Sequence, residues 1–124
     1  MKTFVISIIL LLAVIAGVTG NAVYTANVAD VIIEKTVLLN ENNIMTEEGI
    51  EIFNSIEELW NKEYGILTCL YDYQEIEKVQ LALLRMQNCL ITESYDEFLI
   101  SKGEFLYSVE RIKKISKASF ENIM

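Results

Sequence analysis

Histidine and proline are absent from the 124 residues of this chain, and cysteine occurs only twice. Without histidine, the chain lacks the commonest general base, the usual zinc ligand and every Ser–His or Cys–His nucleophile pair. Without proline, long helices can run uninterrupted, because proline breaks or kinks a helix interior. The composition therefore excludes the familiar histidine-dependent chemistries and favours a helical protein.

The two cysteines, Cys69 and Cys89, are predicted to be free thiols. Their spacing is not C-x-x-C and no histidine accompanies them, so we expect no metal site. On one continuous helix they would stand about 30 Å apart, which is beyond the reach of a disulfide. Both have apolar neighbours in the sequence, so we expect both to be buried structural residues.

The net charge is −8, from 18 acidic and 10 basic residues. This excess of acid argues against nucleic-acid binding and against tight adsorption to an anionic lipid surface. The basic residues near the end of the chain form a cluster of Arg111, Lys113, Lys114 and Lys117. We expect these to lie on a solvated helix face that attracts acidic faces across a bundle; the alternative is a basic docking patch.

Residues 4–23 form an uncharged apolar run, FVISIILLLAVIAGVTGNAV. At a helical rise of about 1.5 Å per residue, roughly 20 such residues span a hydrocarbon core of about 30 Å. Lys2 precedes the run, and Asp30 and Glu34 follow it, which predicts a cytoplasmic N-terminus. We therefore expect residues 1–24 to be a membrane anchor and residues 25–124 to be an extracytoplasmic helical domain.

A cleaved secretory signal has a similar beginning, and small residues around Gly20 could form a weak cleavage site. The apolar helical pattern nevertheless continues through Val23, Tyr24 and Val28, which favours a retained anchor. A lipoprotein is excluded because no cysteine follows the run. One spanning segment does not make a channel or a transporter by itself.

Helical signals continue through the rest of the chain. The first helix is expected to reach about Leu39, with a loop at residues 40–43 and Thr46 as the N-cap of the next helix. Ser94 and Glu97 form an S-x-x-E capping box that predicts the start of the last helix. Its apolar face is predicted to comprise Phe98, Phe105, Leu106, Val109, Ile112 and Phe120.

Apolar stripes occupy the segment between these two signals. The first comprises Ile52, Ile56, Leu59, Ile66, Leu70 and Tyr73 and is broken only by Glu63. The second comprises Ile76, Val79, Leu83, Met86 and Leu90. The third, on another side, comprises Leu81, Leu84 and Ile91. A helix that is apolar on two sides should lie between two neighbours, so residues 67–91 are predicted to form the centre of the bundle.

The predicted fold is all-α, with an N-terminal transmembrane helix that continues into an antiparallel bundle of three or four helices. The number depends on whether residues 47–91 form one helix or two. The first stripe passes Gly65 without a change of phase, which favours one continuous or kinked helix. The limited height of residues 25–42 above a membrane favours a break near Gly65 and a four-helix bundle.

No residue qualifies as a catalytic, cofactor-binding or metal-ligating group. Trp60, with apolar residues at helical spacing, is expected to belong to the core. The acidic residues between 47 and 58 lack the histidines of di-iron bundles and the spacing of calcium loops, which indicates a solvated face. Tyr71 and Tyr73, on either side of Asp72, could contact a ligand or partner, or could cover the edge of the bundle.

Several segments resemble a family of small uncharacterised bacterial proteins, found mainly in anaerobic endospore-formers. The resemblance rests on MKTFVISIILLL, EELWNKEYGIL, YQEIEKVQLALLRMQNCL and SFENIM. Members of that family often carry histidine at the position of Tyr73, so any chemistry of that histidine is lost here. The resemblance implies a membrane-anchored helical domain and supplies no activity.

The sequence thus predicts a structural or protein-interaction role at the cell envelope, with a protein partner of unknown identity and no nucleic acid. The alternative is an extracytoplasmic ligand-sensing bundle that acts through a partner protein. An enzyme is the least supported class, because the chain has no nucleophile–base spacing.

Overall fold

The computed structural model describes the fold of residues 1–123, and their side chains apart from those of Ser119, Phe120 and Ile123. Four helices make up this part of the chain: α1 (Lys2–Val37), α2 (Glu47–Leu70), α3 (Tyr73–Ile91) and α4 (Tyr95–Ile123). No β-strand occurs in residues 1–123. The prediction of an all-α fold with a long apolar N-terminal helix is confirmed, and the bundle has four helices.

Each helix packs beside the helix that precedes it in the chain, and α4 closes the bundle against α1. Within the described residues the diagonal pairs, α1 with α3 and α2 with α4, do not approach closely along their backbones. This arrangement is an up-down-up-down bundle. Its core is made of large side chains at most 1% exposed, among them Ile32, Ile56, Trp60, Ile76, Val79, Met86, Phe98 and Phe105.

α1 has two halves with different surroundings. In its first half the large apolar side chains from Phe4 to Val14 are exposed. In its second half Thr25, Ala29, Ile32 and Thr36 are buried, and their spacing of four, three and four residues places them on one helix face. By length and composition, α1 is capable of crossing a membrane.

The connection between α1 and α2 is fixed by polar contacts. Asn43 accepts a hydrogen bond from the Asn40 amide at 2.9 Å, and Lys102 of α4 donates to the Leu39 carbonyl at 2.5 Å. A lysine suits this position because the last carbonyls of a helix carry partial negative charge. Thr46 accepts from the Gly49 amide at 3.2 Å, so the predicted loop and N-cap are both confirmed.

Residues 47–91 form two helices, so the expectation of one continuous helix is wrong. The break lies at residues 71–72, whereas Gly65 lies inside α2. Tyr71 takes an extended conformation, and the Asp72 carboxylate accepts a hydrogen bond from the Gln74 amide at 3.0 Å. An aspartate N-cap satisfies an amide that would otherwise lack a partner, so α3 begins anew at Tyr73.

The buried face of α2 differs from the predicted stripe. It comprises Gly49, Phe53, Ile56, Trp60, Glu63 and Leu67. Ile66, Leu70 and Tyr73, which were assigned to that face, are 49%, 38% and 60% exposed. The predicted stripe is displaced by one residue from this face, because Ile52, Leu59 and Ile66 each precede a buried residue, and Tyr73 lies beyond the break.

The position of α3 also differs from the prediction. Ile76, Val79, Leu83 and Met86 are buried as expected. The third stripe, Leu81, Leu84 and Ile91, is 45%, 44% and 73% exposed. Residues 67–91 are therefore not the centre of the bundle, and α4 makes the most extensive contacts, with α3 and with α1.

α3 ends at a residue whose backbone has the left-handed conformation, in the turn that leads into α4. Glu93 has φ of 56°, the Ser94 amide donates to the Cys89 carbonyl at 2.9 Å, and the Glu93 amide donates to the Leu90 carbonyl at 3.3 Å. These are the two bonds of a Schellman motif. α4 starts after Ser94 as predicted. Its buried residues include Phe98, Phe105, Val109 and Ile112, whereas the predicted Phe120 side chain lies outside the described residues.

Two glycines of α2 provide a matched test of this packing. A Cβ atom on Gly49 would lie 2.0 Å from the Asn43 carbonyl oxygen, whereas one on Gly65 would meet nothing within 4 Å. We expect Gly49→Ala to lower the free energy of unfolding by about 1–3 kcal/mol, because the loop must move. Gly65→Ala should raise it by up to about 1 kcal/mol, because alanine favours a helix interior. Urea denaturation of the full-length chain in mild detergent measures both, and equal effects would contradict this close approach.

Candidate functional site

Trp60 belongs to the core, as predicted. It is 1% exposed, and its ring meets that of Tyr64 edge to face with centroids 6.1 Å apart. The indole N–H donates to the Gln80 side-chain oxygen at 2.5 Å. This bond ties α2 to α3 and satisfies the one polar atom of the indole, so Trp60 acts as a structural anchor.

The two cysteines are free, as predicted, but they differ in exposure. Cys89 is buried and Cys69 is exposed. The expectation that both are buried is therefore wrong for Cys69, because apolar neighbours in sequence do not decide which helix face a residue occupies, and Cys69 lies off the buried face of α2. Cys89 Sγ lies 4.0 Å from the Ser101 hydroxyl, which places it between α3 and α4.

The tyrosines beside Asp72 have different environments. The Tyr71 hydroxyl lies 2.7 Å from the Thr25 hydroxyl of α1, so Tyr71 fastens the α2–α3 turn to α1. Tyr73 is 60% exposed. The pKa of Tyr73 is raised, mainly by a hydrogen bond with the Glu77 carboxylate. Tyr71 thus covers the bundle edge, while Tyr73 remains available for contact.

Within residues 1–123, no three acidic or cysteine side chains come together as a group that could hold a metal ion. Of the acidic residues between 47 and 58, only Glu57 is partly buried and the others are exposed. The structure offers no test of catalysis or of cofactor binding. That the chain contains no catalytic, cofactor or metal site stays a prediction.

Glu63 was noted in the sequence only as the one interruption of an apolar stripe, and the structure shows it to be a buried charged residue. It is 5% exposed, and its Oε2 atom has no hydrogen-bond partner among the described residues. A buried carboxylate oxygen without a partner loses its hydration and gains nothing in return. We therefore expect Glu63 to lower the stability of the bundle core.

Replacement of Glu63 tests this cost directly. Glu63→Leu should raise the free energy of unfolding by about 1–3 kcal/mol, because an apolar side chain of similar volume needs no partner. The control Glu58→Leu, on an exposed position of the same helix, should change it by less than about 0.5 kcal/mol. Thermal and urea denaturation provide the measurement. A loss of stability in Glu63→Leu would show that the carboxylate has a stabilising partner.

The basic cluster contributes two ion pairs between helices. Arg111 Nε donates to Glu75 Oε2 at 2.8 Å, and Lys113 Nζ lies 2.6 Å from Asp30 Oδ1. These pairs join α4 to α3 and to α1, as expected of charged faces that attract across a bundle. Lys114 and Lys117 are exposed.

Acid should weaken the Arg111–Glu75 contact. The hydrogen bond from Arg111 lowers the pKa of the Glu75 carboxyl below its ordinary value of 4.5. A carboxyl with a depressed folded-state pKa adds stability above its unfolded pKa, and that stability is lost as the pH falls. We expect Glu75→Gln to show a smaller loss of stability than the wild type between about pH 5 and about pH 3. Urea midpoints across that range measure the difference, with Glu58→Gln as control, and parallel curves would contradict the contact.

An apolar surface remains uncovered on the outside of α3 and α4. This outer face comprises Leu81, Leu84 and Ile91 of α3, with Ile100 and Tyr107 of α4. Between the two helices runs a groove of about 470 Å³, lined by Leu81 and Tyr107 among others. The Arg85–Glu104 ion pair, at 2.8 Å, joins α3 to α4 and lines this groove together with Lys78. Exposed apolar side chains with polar residues beside them are typical of protein-interaction sites.

The two ends of the bundle differ in charge. The upper end, formed by the α1–α2 loop and the α3–α4 turn, carries seven acidic residues: Glu41, Glu47, Glu48, Glu51, Glu93, Asp96 and Glu97. There, burial and the carboxylates of Glu41 and Asp96 raise the pKa of Tyr95. The lower end, formed by the α2–α3 turn and the last part of α4 beside residues 18–26 of α1, carries charges of both signs. These are Arg111, Lys113, Lys114 and Lys117 with Asp72, Glu75 and Glu121.

The sequence profile of one protein family matches residues 24–123 of the chain. Its description is Domain of unknown function (DUF4363). The matched part starts after the apolar run and includes residues 24–37 of α1 and all of α2, α3 and α4. No curated protein and no solved structure matches the chain.

Proposed function

Since the chain belongs to the DUF4363 family of domains of unknown function, we propose that it is a single-pass membrane-anchored protein with a structural or protein-interaction role at the cell envelope. The main support is α1, a single helix whose first half, after Lys2, exposes only apolar and small polar side chains. Its second half is built into the bundle. Such a helix links a bilayer to a folded domain without a flexible joint.

The orientation follows from charge. Lys2 precedes the apolar run, and acidic residues follow it, so the positive-inside tendency keeps the N-terminus cytoplasmic and the bundle outside. No catalytic step belongs to this function, because histidine is absent and no nucleophile–base pair stands out. The partner is a protein, and nucleic acid is disfavoured by the net charge of −8.

The outer face supports an interaction role. Its five large apolar side chains are 44–73% exposed, and they follow a helical stripe on α3 beside a groove against α4. An apolar helical segment of a partner protein fits a surface of this shape. The ligand-sensing alternative has less support, because the cavity inside the core, lined by Thr25, Ile32 and Trp60, holds only about 10 Å³. That volume is at the lower limit for one water molecule.

Photo-crosslinking in native membranes tests this function. A photoreactive phenylalanine derivative in place of Tyr107 should give a defined protein adduct, and Leu84→Glu should reduce that adduct at least about tenfold by placing a charge in the contact. The same reagent at the exposed position Asn61 of α2 is the control. An adduct that survives Leu84→Glu would contradict the outer face as the contact. An adduct of twice the chain mass would identify the partner as a second copy.

Protease added to intact protoplasts tests the anchor separately. The bundle should be degraded and a small membrane-embedded fragment should remain. A mature soluble product that begins near Asn21 or Val23 would contradict the retained anchor.

A further inference from the structure

The proposed anchor restricts how two copies of this chain can meet. Both copies enter the same membrane through α1 from the same side, so a twofold axis that relates them stands along the membrane normal. Such an axis keeps every residue of one copy at the height of the same residue in the other. When the outer faces meet around this axis, α3 of each copy lies beside α4 of the other, and residues of equal height come together.

Contacts within one bundle show which residues of α3 and α4 share a height. Arg85 Nη1 lies 2.8 Å from Glu104 Oε2, and Cys89 Sγ lies 4.0 Å from the Ser101 hydroxyl. Because the two helices are antiparallel, each step forward along α3 corresponds to a step back along α4. Within about two residues, or about 3 Å, three sets share a height: Glu77 with Lys114, Leu81 and Leu84 with Tyr107, and Ile91 with Ile100.

These residues lie on one outward stripe of each helix. The spacing alternates between three and four residues on both stripes, which comprise Glu77, Leu81, Leu84, Asn88 and Ile91 on α3 and Ile100, Gly103, Tyr107, Glu110 and Lys114 on α4. A Cβ atom on Gly103 would meet nothing within 4 Å, so α4 leaves room there for a large side chain. Between two copies, Leu84 of one fits beside Gly103 and Tyr107 of the other.

Charge also matches at this face, although the whole chain carries −8. Lys102 and Lys113 of α4 are directed toward α1, where they contact the Leu39 carbonyl and Asp30. The other charged side chains between residues 73 and 91 and between residues 100 and 114 are four acids and four bases: Glu75, Glu77, Glu104 and Glu110 with Lys78, Arg85, Arg111 and Lys114. The face therefore has no net charge, so two acidic chains repel each other least when they approach here.

Glu77 and Lys114 provide the specific part of this match. Neither forms an ion pair among the described residues. The Glu77 carboxylate accepts a long hydrogen bond of 3.5 Å from the Tyr64 hydroxyl, and Lys114 is exposed. Around the twofold axis each Glu77 stands at the height of Lys114 of the other copy, so two equivalent ion pairs form.

The size of the face indicates a reversible contact. It extends about 20 Å along the helices and about 20 Å across two of them, which is roughly 400 Å² in plan on each copy. A standard stable interface buries about 800 Å² on each partner. Repulsion between the carboxylates at the upper edge, Glu93, Asp96 and Glu97, weakens the contact further. Confinement of both anchors to one bilayer favours it by raising the local concentration.

We propose that the outer face binds a second copy of this chain, as a parallel twofold dimer. Leu81 and Leu84 of each copy pack against Tyr107 of the other, and Glu77 pairs with Lys114. This inference rests on the proposed function and names the partner at the same face.

Charge reversal in two separate chains tests the dimer. The full-length chain with Cys89→Ser is labelled at the exposed Cys69 with a donor or an acceptor dye and placed in phosphatidylcholine vesicles. The wild type should show energy transfer above the level of random mixing. Glu77→Lys alone and Lys114→Glu alone should each weaken dimerisation about tenfold, because each places like charges together in both contacts.

A mixture of the two variants provides the decisive arm. Donor-labelled Glu77→Lys with acceptor-labelled Lys114→Glu should regain the transfer of the wild type, because both contacts of the mixed dimer then join opposite charges. The matched control is Glu58→Lys and Lys62→Glu, at exposed positions of α2, and each should match the wild type. Circular dichroism of every variant confirms folding.

Each other outcome overturns the dimer. Random transfer in the wild type, single variants that equal the wild type, or a mixture as weak as its parts would contradict it. These failures are distinct from failure of the proposed function. Crosslinking from Tyr107 to a different protein would keep the interaction role and overturn the second copy, whereas a chain that does not enter the vesicles would overturn the anchor.

Discussion

The continuity of α1 determines most of this structure. One helix of 36 residues changes from fully exposed apolar side chains to a buried face without a break, and the rest of the bundle is placed relative to it. Thr25 holds the α2–α3 turn through Tyr71, and Asp30 holds α4 through Lys113. Since a helix is stiff over this length, the level of the bundle above the apolar half is fixed by helical geometry.

The path of α2 along α1 determines where the third helix begins. α2 runs back along α1 from the upper end and ends at Leu70, beside Val18 and Ala22 of α1. Asp72 provides the turn by capping α3. The chain then returns upward through α3 and downward through α4, so successive turns lie at opposite ends of the bundle.

Much of this fold could be predicted from sequence, because helix caps are local. Thr46 and the start after Ser94 are read from a few adjacent residues, and both are confirmed. Asp72 and Glu75 form a D-x-x-E pattern of the same kind as Ser94 and Glu97, and Asp72 does cap α3, whereas the prediction of one helix used only the apolar stripe across Gly65. That stripe mixed Ile56, which is buried, with Ile66, which is exposed.

Candidate sites were less predictable, because they depend on which of the two apolar faces of a helix packs against a neighbouring helix. Periodicity identified both stripes of α3, but it could not show that Leu83 is covered and Leu84 is not. Likewise, the groove between α1 and α4 beside Lys117 forms only because of the register in which α4 packs on α1. Residues 113–117 are about 90 positions away from residues 19–26 in sequence. Such long-range register carries no local signal. Glu63 alone, as a charge inside a stripe, was visible beforehand.

The most direct test of the account joins α1 to α4 covalently. In a chain with Cys69 and Cys89 replaced by serine, Ala22→Cys and Ser116→Cys should form an intramolecular disulfide on mild oxidation in native membranes. The product should keep the mass of the full-length chain, and the control pair Ala22→Cys with Ser55→Cys should not close. Equal closure of both pairs, or a crosslinked product that has lost its first 20 residues, would contradict a continuous α1 that anchors the bundle.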